Sequence, residues 1–257
     1  MENIIQINLI QFSLIYLLLL IVLVIMKKSK INQTKLLMIA SFRMTVQLIL
    51  AGLILTYIFK TPKPIYTILY LCAMALFSIY RVLSKNKDLN KKFKVYVSLS
   101  LTFSSLLIVF FFIGIVMRTN IFNPQYTIPI SGMIFGNAMT GVSLALKTFT
   151  EEIKNQRMKI ETLLNFGITP KKILLPFVNN ALETALLPTM NSMLSMGIIA
   201  LPGMMTGQIL SGTLPLTAIL YQIAIIISIC AVVCLSVFCS LYFGYRSLYN
   251  EKNQIFF

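Results

Sequence analysis

The chain has 257 residues, 58% of them hydrophobic and only 11% charged, with a mean hydropathy of +0.86. A water-soluble domain is about a quarter charged, so this composition cannot cover a soluble surface and excludes an ordinary soluble fold. The 22 Lys and Arg against 7 Asp and Glu leave a formal charge of +15, and the absence of His removes the commonest general base and metal ligand.

In chain order, seven apolar runs are predicted to cross a membrane: residues 7–26, 36–59, 65–82, 95–117, 128–146, 177–201 and 214–243. Each is close to the ~20 residues that a helix needs to span a hydrocarbon core of ~30 Å. The first has Glu2 before it and Lys27, Lys28 and Lys30 behind it. A cleaved signal peptide has the reverse pattern, so an anchored helix is expected. The second run is interrupted by Arg43 and Gln47, the sixth contains Glu183 and Pro188, and no charge occurs from residue 184 to residue 245. Pro202, Gly203, Gly207, Gly212 and Pro215 divide that uncharged stretch into two spans, with a turn or a re-entrant piece between them. Cys72, Cys230, Cys234 and Cys239 all lie inside apolar runs without zinc-site spacing, and are expected to pack as small hydrophobes.

The basic residues orient this bundle. The connections after the first, third and fifth runs carry Lys27, Lys28, Lys30 and Lys35, then Arg81, Lys85, Lys87, Lys91, Lys92 and Lys94, then Lys147, Lys154, Arg157, Lys159, Lys171 and Lys172. The tail adds Arg246 and Lys252, while the opposite side holds only Lys60, Lys63 and Arg118. Cytoplasmic loops collect Lys and Arg. The expected architecture is therefore an all-α, polytopic bundle of about seven spans, with the N-terminus outside and the C-terminus cytosolic. It forms a single transmembrane domain over residues 1–257 in the cell membrane. Topology accounts for the positive charge, and no nucleic-acid partner is implied.

The connection at residues 147–176 is longer than a linker needs. If residues 149–164 are helical, Phe149, Ile153, Ile160, Leu163 and Leu164 share a stripe, with Glu151, Glu152, Lys154 and Lys159 mostly off it. Gly167 then caps that helix and Pro170 opens a second, short one. This cytoplasmic helix–turn–helix either rests on lipid headgroups or docks a cytosolic partner.

Glu161 and Gly167 have the spacing of the coupling motif of ABC-transporter permeases, with Thr162 and Leu163 in its small-residue places and Leu175-Pro176 as an early version of its trailing Leu-Pro. Gly132 to Met139, Gly167-Ile168-Thr169-Pro170, the stretch from Ala185 to Met193 and the stretch from Leu201 to Leu210 resemble one group, as do Arg43, Gln47 and Gly52 in the second run. These segments are similar to the iron-export ABC permeases of FetB type, related to the plant aluminium-sensitivity permeases. The resemblance covers nearly the whole chain and is densest from residue 132 to residue 223. It implies a membrane permease subunit of an ABC transporter, exporting metal ions (iron foremost) with a separate cytosolic ATPase. It also implies a homodimer of permeases, and places ATPase coupling at Glu161, Gly167 and Pro170. Glu183 departs from it, since that place is often basic in the family.

The chain has no Gly-x-x-x-x-Gly-Lys-Ser/Thr phosphate loop. ATP and magnesium are therefore expected in a partner, with no cofactor and no enzymatic activity in this chain. Polar residues at lipid depth are costly and read as functional. They are Arg43, Gln47, Asn137, Glu183 and Gln208, with Arg43 either snorkelling to the cytosolic headgroups or paired with Glu183. Met193, Met196 and Met204, with Asn191, are the candidates for passing metal contacts. Pro202, Gly203 and Gly207 are the candidate hinge. A self-sufficient secondary carrier or channel for a metal ion or small solute is the alternative.

Overall fold

The computed structural model describes residues 8–250. Ile7, where the first run begins, and Glu2 and Lys252, which enter the charge reading, lie outside the described residues. Among the described residues nine α-helices follow one another: α1 Leu9–Lys28, α2 Thr34–Lys60, α3 Pro64–Lys85, α4 Lys91–Phe110, α5 Pro124–Asn155, α6 Arg157–Asn165, α7 Pro170–Ser195, α8 Gly203–Leu210 and α9 Pro215–Gly244. Phe111–Val116 continues α4 as a wider π-helical turn, and Tyr245–Leu248 closes α9 as a 3-10 turn. Pro at the first helical position opens α3, α5, α7 and α9, where its missing N–H costs nothing. Among the described residues, six helices are long and apolar enough to cross a membrane: α1, α2, α3, α4 with its π turn, α5 and α9.

The expected sixth run is the one that is not a single helix. Its residues begin well inside α7, which starts at Pro170, and the helix ends at Ser195 rather than reaching residue 201. Gly197, at φ 83°, breaks the chain there, and its N–H bonds Ala200 O at 3.1 Å. Two further boundaries differ from expectation. Residues 149–155 belong to α5, because nothing between residues 146 and 155 breaks a helix and the buried face continues through Phe149 and Ile153. The helix opened by Pro170 is long, not short, running on through Pro176 and Pro188.

The chain divides into two compact units, 8–62 with Leu210–Gly212, and 63–209 with 213–250. In the first, α1 and α2 are apolar on most sides, α2 being interrupted by Arg43 and Gln47, with Leu18, Phe42, Leu48 and Leu53 among their exposed side chains. Helices of this kind suit lipid on most sides. Tyr16 on α1 and Thr45 on α2 share a hydrogen bond of 2.6 Å between their hydroxyls, and Thr45 Oγ1 also lies 3.0 Å from Ser41 O.

The second unit has a continuous core. α9 packs against α4, α5 and α7, and α5 packs against α3, α4 and α7. Small side chains let these helices approach: Ser100, Ser104 and Ser105 on α4 and Ser236 and Ser240 on α9 are all buried. Gly141 of α5 fits against α9 because a Cβ there would stand 2.7 Å from Val233 Cγ1.

Contacts at one end of this unit fix the heights of the helices. Asn90 caps α4 by accepting from Phe93 N at 2.7 Å, and its Nδ2 donates to Ser247 O at 2.8 Å, tying the start of α4 to the end of α9. Phe93 is fully buried, edge-to-face on Phe149 of α5 with ring centroids 6.2 Å apart. At the opposite end, Thr67 Oγ1 donates to Phe122 O at 3.0 Å, tying α3 to the loop before α5.

Gly244 has no side chain where the Phe93 ring passes, and a methyl built there would overlap the ring. Gly244→Ala should therefore destabilise the protein by about 1–3 kcal/mol through overpacking. Gly136→Ala, whose methyl meets nothing within 4 Å, should be neutral or slightly stabilising. Thermal denaturation in detergent checks the pair, and equal melting temperatures would contradict this account of the α4–α9 contact.

Candidate partner-docking site

The helix–turn–helix expected around residues 147–176 is formed by α6, its turn and the start of α7. Gln156 is a one-residue bend between α5 and α6, with φ −105° and ψ 22°. The apolar stripe is packed into the bundle: Phe149, Ile153 and Ile160 belong to the buried core, with Leu163 and Leu164 against it. Ile160 has 0% exposure. The stripe is thus covered by protein, which leaves the other faces of α6 to meet whatever lies outside.

The turn has a complete Schellman cap. Ile168 N–H bonds Leu163 O at 3.1 Å, Gly167 N–H bonds Leu164 O at 2.9 Å, and Gly167 sits at φ 78°. Thr169 is the extended residue before Pro170, and its carbonyl accepts from Lys172 N at 2.9 Å. Glu161 points to solvent and accepts from Arg157 Nε at 2.8 Å, one turn away on the same helix. Two large apolar side chains stand free at this tip, Met158 at 84% exposure and Phe166 at 78%.

Beside the tip, α5, α6 and α7 enclose a groove of about 420 Å³. Ile160, Leu163, Ile173 and Phe177 contribute its apolar lining and Lys159 and Lys172 its cations. At the groove, Asn180 Nδ2 donates to Glu152 Oε1, joining α7 to α5. Lys154 Nζ donates to Asp88 Oδ2 at 2.9 Å, joining the end of α5 to the α3–α4 loop. Neither pairing was legible in the sequence, where the partners are 28 and 66 residues apart. Asn90 was not singled out either, although an Asn directly before a helix is a preferred cap and was the signal that could have found it.

The other expected site residues are dispersed. Arg43 and Gln47 are exposed on α2 in the first unit, and Glu183 is exposed on α7 in the second. Asn137 is exposed on α5 and donates to Met133 O at 2.8 Å. Asn191 and Met193 are exposed near the end of α7; Met196 and Met204 are half-buried, as is Gln208 on α8. Pro202, Gly203 and Gly207 occupy the junction into α8 and its first turns, and a Cβ at either glycine would meet nothing within 4 Å. Among the described residues no three His, Cys, Asp or Glu side chains converge as a metal site.

The family described as "Uncharacterised protein family (UPF0014)" matches residues 9–249. The chain is 30% identical over 232 residues to the UPF0014 membrane protein YjkA of Bacillus subtilis, covering 89% of this chain and 90% of the relative. It is 30% identical over 229 residues to the probable iron export permease protein FetB of Escherichia coli, covering 89% and 87%. It is 36% identical over 144 residues to the protein ALUMINUM SENSITIVE 3 of Arabidopsis thaliana, covering 56% and 53%. No solved structure matches it.

The Asp88–Lys154 strut has a pH signature. The hydrogen bond from Lys154, then the charge of that ammonium, hold the Asp88 carboxyl below its ordinary value of 3.8, with Lys94 adding to this and burial opposing it. The unfolded chain therefore takes up the proton more readily than the folded one. The pair's contribution is whole above the ordinary value and is lost as pH falls through the lower folded one, below about pH 4. Asp88→Asn should flatten the acid side of the melting-temperature profile and leave its slope near neutrality unchanged. Superimposable acid limbs would show that the strut carries no linkage.

Proposed function

Since the chain belongs to the UPF0014 family of multi-pass membrane proteins, we propose that it is the membrane-spanning permease subunit of an ABC transporter that exports metal ions, iron foremost, across the cell membrane. The energy comes from ATP and magnesium bound by a separate cytosolic ATPase, for which this chain has no phosphate loop. Two permeases with two ATPases form the working assembly, because nucleotide is sandwiched between paired ATPases.

The observation that carries this reading is the tip of α6. A helix held by a buried stripe and a full Schellman cap exposes Met158 and Phe166 among Arg157, Lys159 and Glu161. Bare apolar side chains on a rigid, charged projection have the composition of a docking anchor rather than of a solvated loop. The end of unit 2 that carries the tip also carries Lys85, Lys87, Lys91, Lys92, Lys171 and Lys172, which fits a cytosolic face. The iron of the FetB relative's name supports a metal cargo, and the positive-inside pattern supports the orientation.

Phe166→Glu with Met158→Glu tests the docking, since neither position is part of the core. The double variant should weaken ATPase binding by about 2 kcal/mol or more, roughly 30-fold, and abolish co-purification in detergent. Gly167→Val, forced into a left-handed conformation, should weaken it as well by spoiling the turn. In vesicles holding both proteins, ATP-dependent flux of iron, manganese, zinc and copper is then compared. Flux that proceeds without ATP or without the second protein would overturn the proposal in favour of a self-sufficient carrier.

A further inference from the structure

The contact between Asn180 of α7 and Glu152 of α5 sets how far α7 reaches. Gly141 of α5 lies against Val233 of α9, and a Cβ at Gly132 of α5 would stand 3.4 Å from Met74 Cε of α3. Thr67 with Phe122 O, and Phe93 with both Phe149 and Gly244, put the N-terminal ends of α3, α5 and α9 at one end of the unit, and the short α6 between α5 and α7 returns α7 antiparallel to α5. From Glu152 back to Pro124, α5 covers 28 residues, about 42 Å at 1.5 Å per residue. From Asn180 to Ser195, α7 covers 15 residues, about 22 Å. It therefore stops about halfway, with Ser195 level with Asn137, the central residue of the run at 128–146. Glu183 comes level with Phe149, past Lys147 toward the base-rich end.

The halfway point is polar. Eleven residues are three helical turns and about 20°, so Asn191 shares the face on which Asn180 meets α5, and it comes level with Thr140 and Gly141. Asn137, Thr140 and Asn191 are exposed and Ser195 is half-exposed. Three of the four turn a donor back onto their own helices: Asn137 Nδ2 to Met133 O at 2.8 Å, Thr140 Oγ1 to Gly136 O at 2.9 Å, Ser195 Oγ to Ser192 O at 3.1 Å. The oxygens keep lone pairs to offer. The carbonyls of Met193 and Leu194 accept no backbone hydrogen bond among the described residues. They lie at the negative end of the α7 dipole. A surface rich in acceptors, with its hydroxyl donors engaged, attracts cations.

We propose that this break is a cation station at mid-membrane, where the transported divalent metal ion exchanges part of its water shell for the oxygens of Asn137, Thr140, Asn191 and Ser195 and the two free carbonyls. The station rests on the metal-export reading and adds to it the place and the ligand class. With neutral ligands only, the station holds its ion weakly enough to release it. Oxygen donors favour iron(II) and manganese(II) over copper(I).

The test uses the permease with its ATPase, and manganese(II) as the probe. Asn137→Leu with Asn191→Leu should lower ATP-dependent manganese flux by about tenfold or more, while the permease still co-purifies with its ATPase. Asn191→Asp, which preserves shape and adds a charge, should tighten manganese binding by about tenfold in equilibrium dialysis of the purified permease. That second variant decides the matter if the leucine pair misfolds. Undiminished flux in a folded leucine pair, or unchanged binding in Asn191→Asp, would overturn the station. Failure of the export reading would be seen separately, as wild-type flux independent of ATP or of the ATPase.

Discussion

Five helices of the second unit are locked in height by contacts gathered near the base-rich end: Asn90 with Ser247, Phe93 with Phe149 and Gly244, Asp88 with Lys154, and Glu152 with Asn180. The location has a physical reason. Deep in hydrocarbon, helices are held by close packing, which tolerates sliding when the facing residues are small and alike, such as the serines of α4 and α9. Near the edge, polar side chains can bond one another without losing access to water, and each such bond fits one register. A slip of a single turn, about 5.4 Å, would break several of these bonds together. It would also drive the Phe93 ring off Gly244.

This locked layer gives the tip of α6 something rigid to act on. α6 joins α5 through the bend at Gln156 and α7 through the capped turn at Gly167. Its buried Ile160 sits in the same core as Phe149 and Ile173. A load on Phe166 is thus delivered to two long helices at once. Both carry interior prolines, Pro129 far from the tip in α5 and Pro176 and Pro188 in α7, where the carbonyls of Lys172 and Thr184 are left without their helical donors. The compliant stretch of α7 lies between the proposed docking tip and the halfway break, where a mechanical link between them would need it.

Much of this was legible in the residues. Continuous apolar runs and alternating basic loops marked the helices, because hydrocarbon imposes length and composition directly on the chain. Gly167 and Pro170 marked the turn, since each has one strong backbone preference, and both occupy the expected places. The end of α7 was less legible. Residues 177–201 are apolar enough to read as a span, and hydropathy reports solvent preference without reporting continuity of the backbone. Nothing local showed that α5 runs on to Asn155, carrying Glu152 up to Asn180, so the depth of every residue on α7 was unknown. The exposure of Phe166 and Met158 was equally hidden, because it depends on which face of α6 the bundle covers.

The unwound stretch after α7 bears on assembly as well. Ile198 and Ile199 are exposed at 88% and 85%, while Asn137, Thr140 and Asn191 are exposed about the level where α7 ends. Lipid suits the isoleucines and penalises the amides and the interrupted backbone; water does the reverse. A surface of this mixed kind is satisfied where apolar groups meet protein and polar groups meet a hydrated cleft. The two-permease assembly proposed above supplies both environments, if each copy turns this side of unit 2 toward the other. On that arrangement the break in α7 follows from what a crossing ion needs, since a continuous helix would satisfy its own backbone and have no carbonyl left to offer.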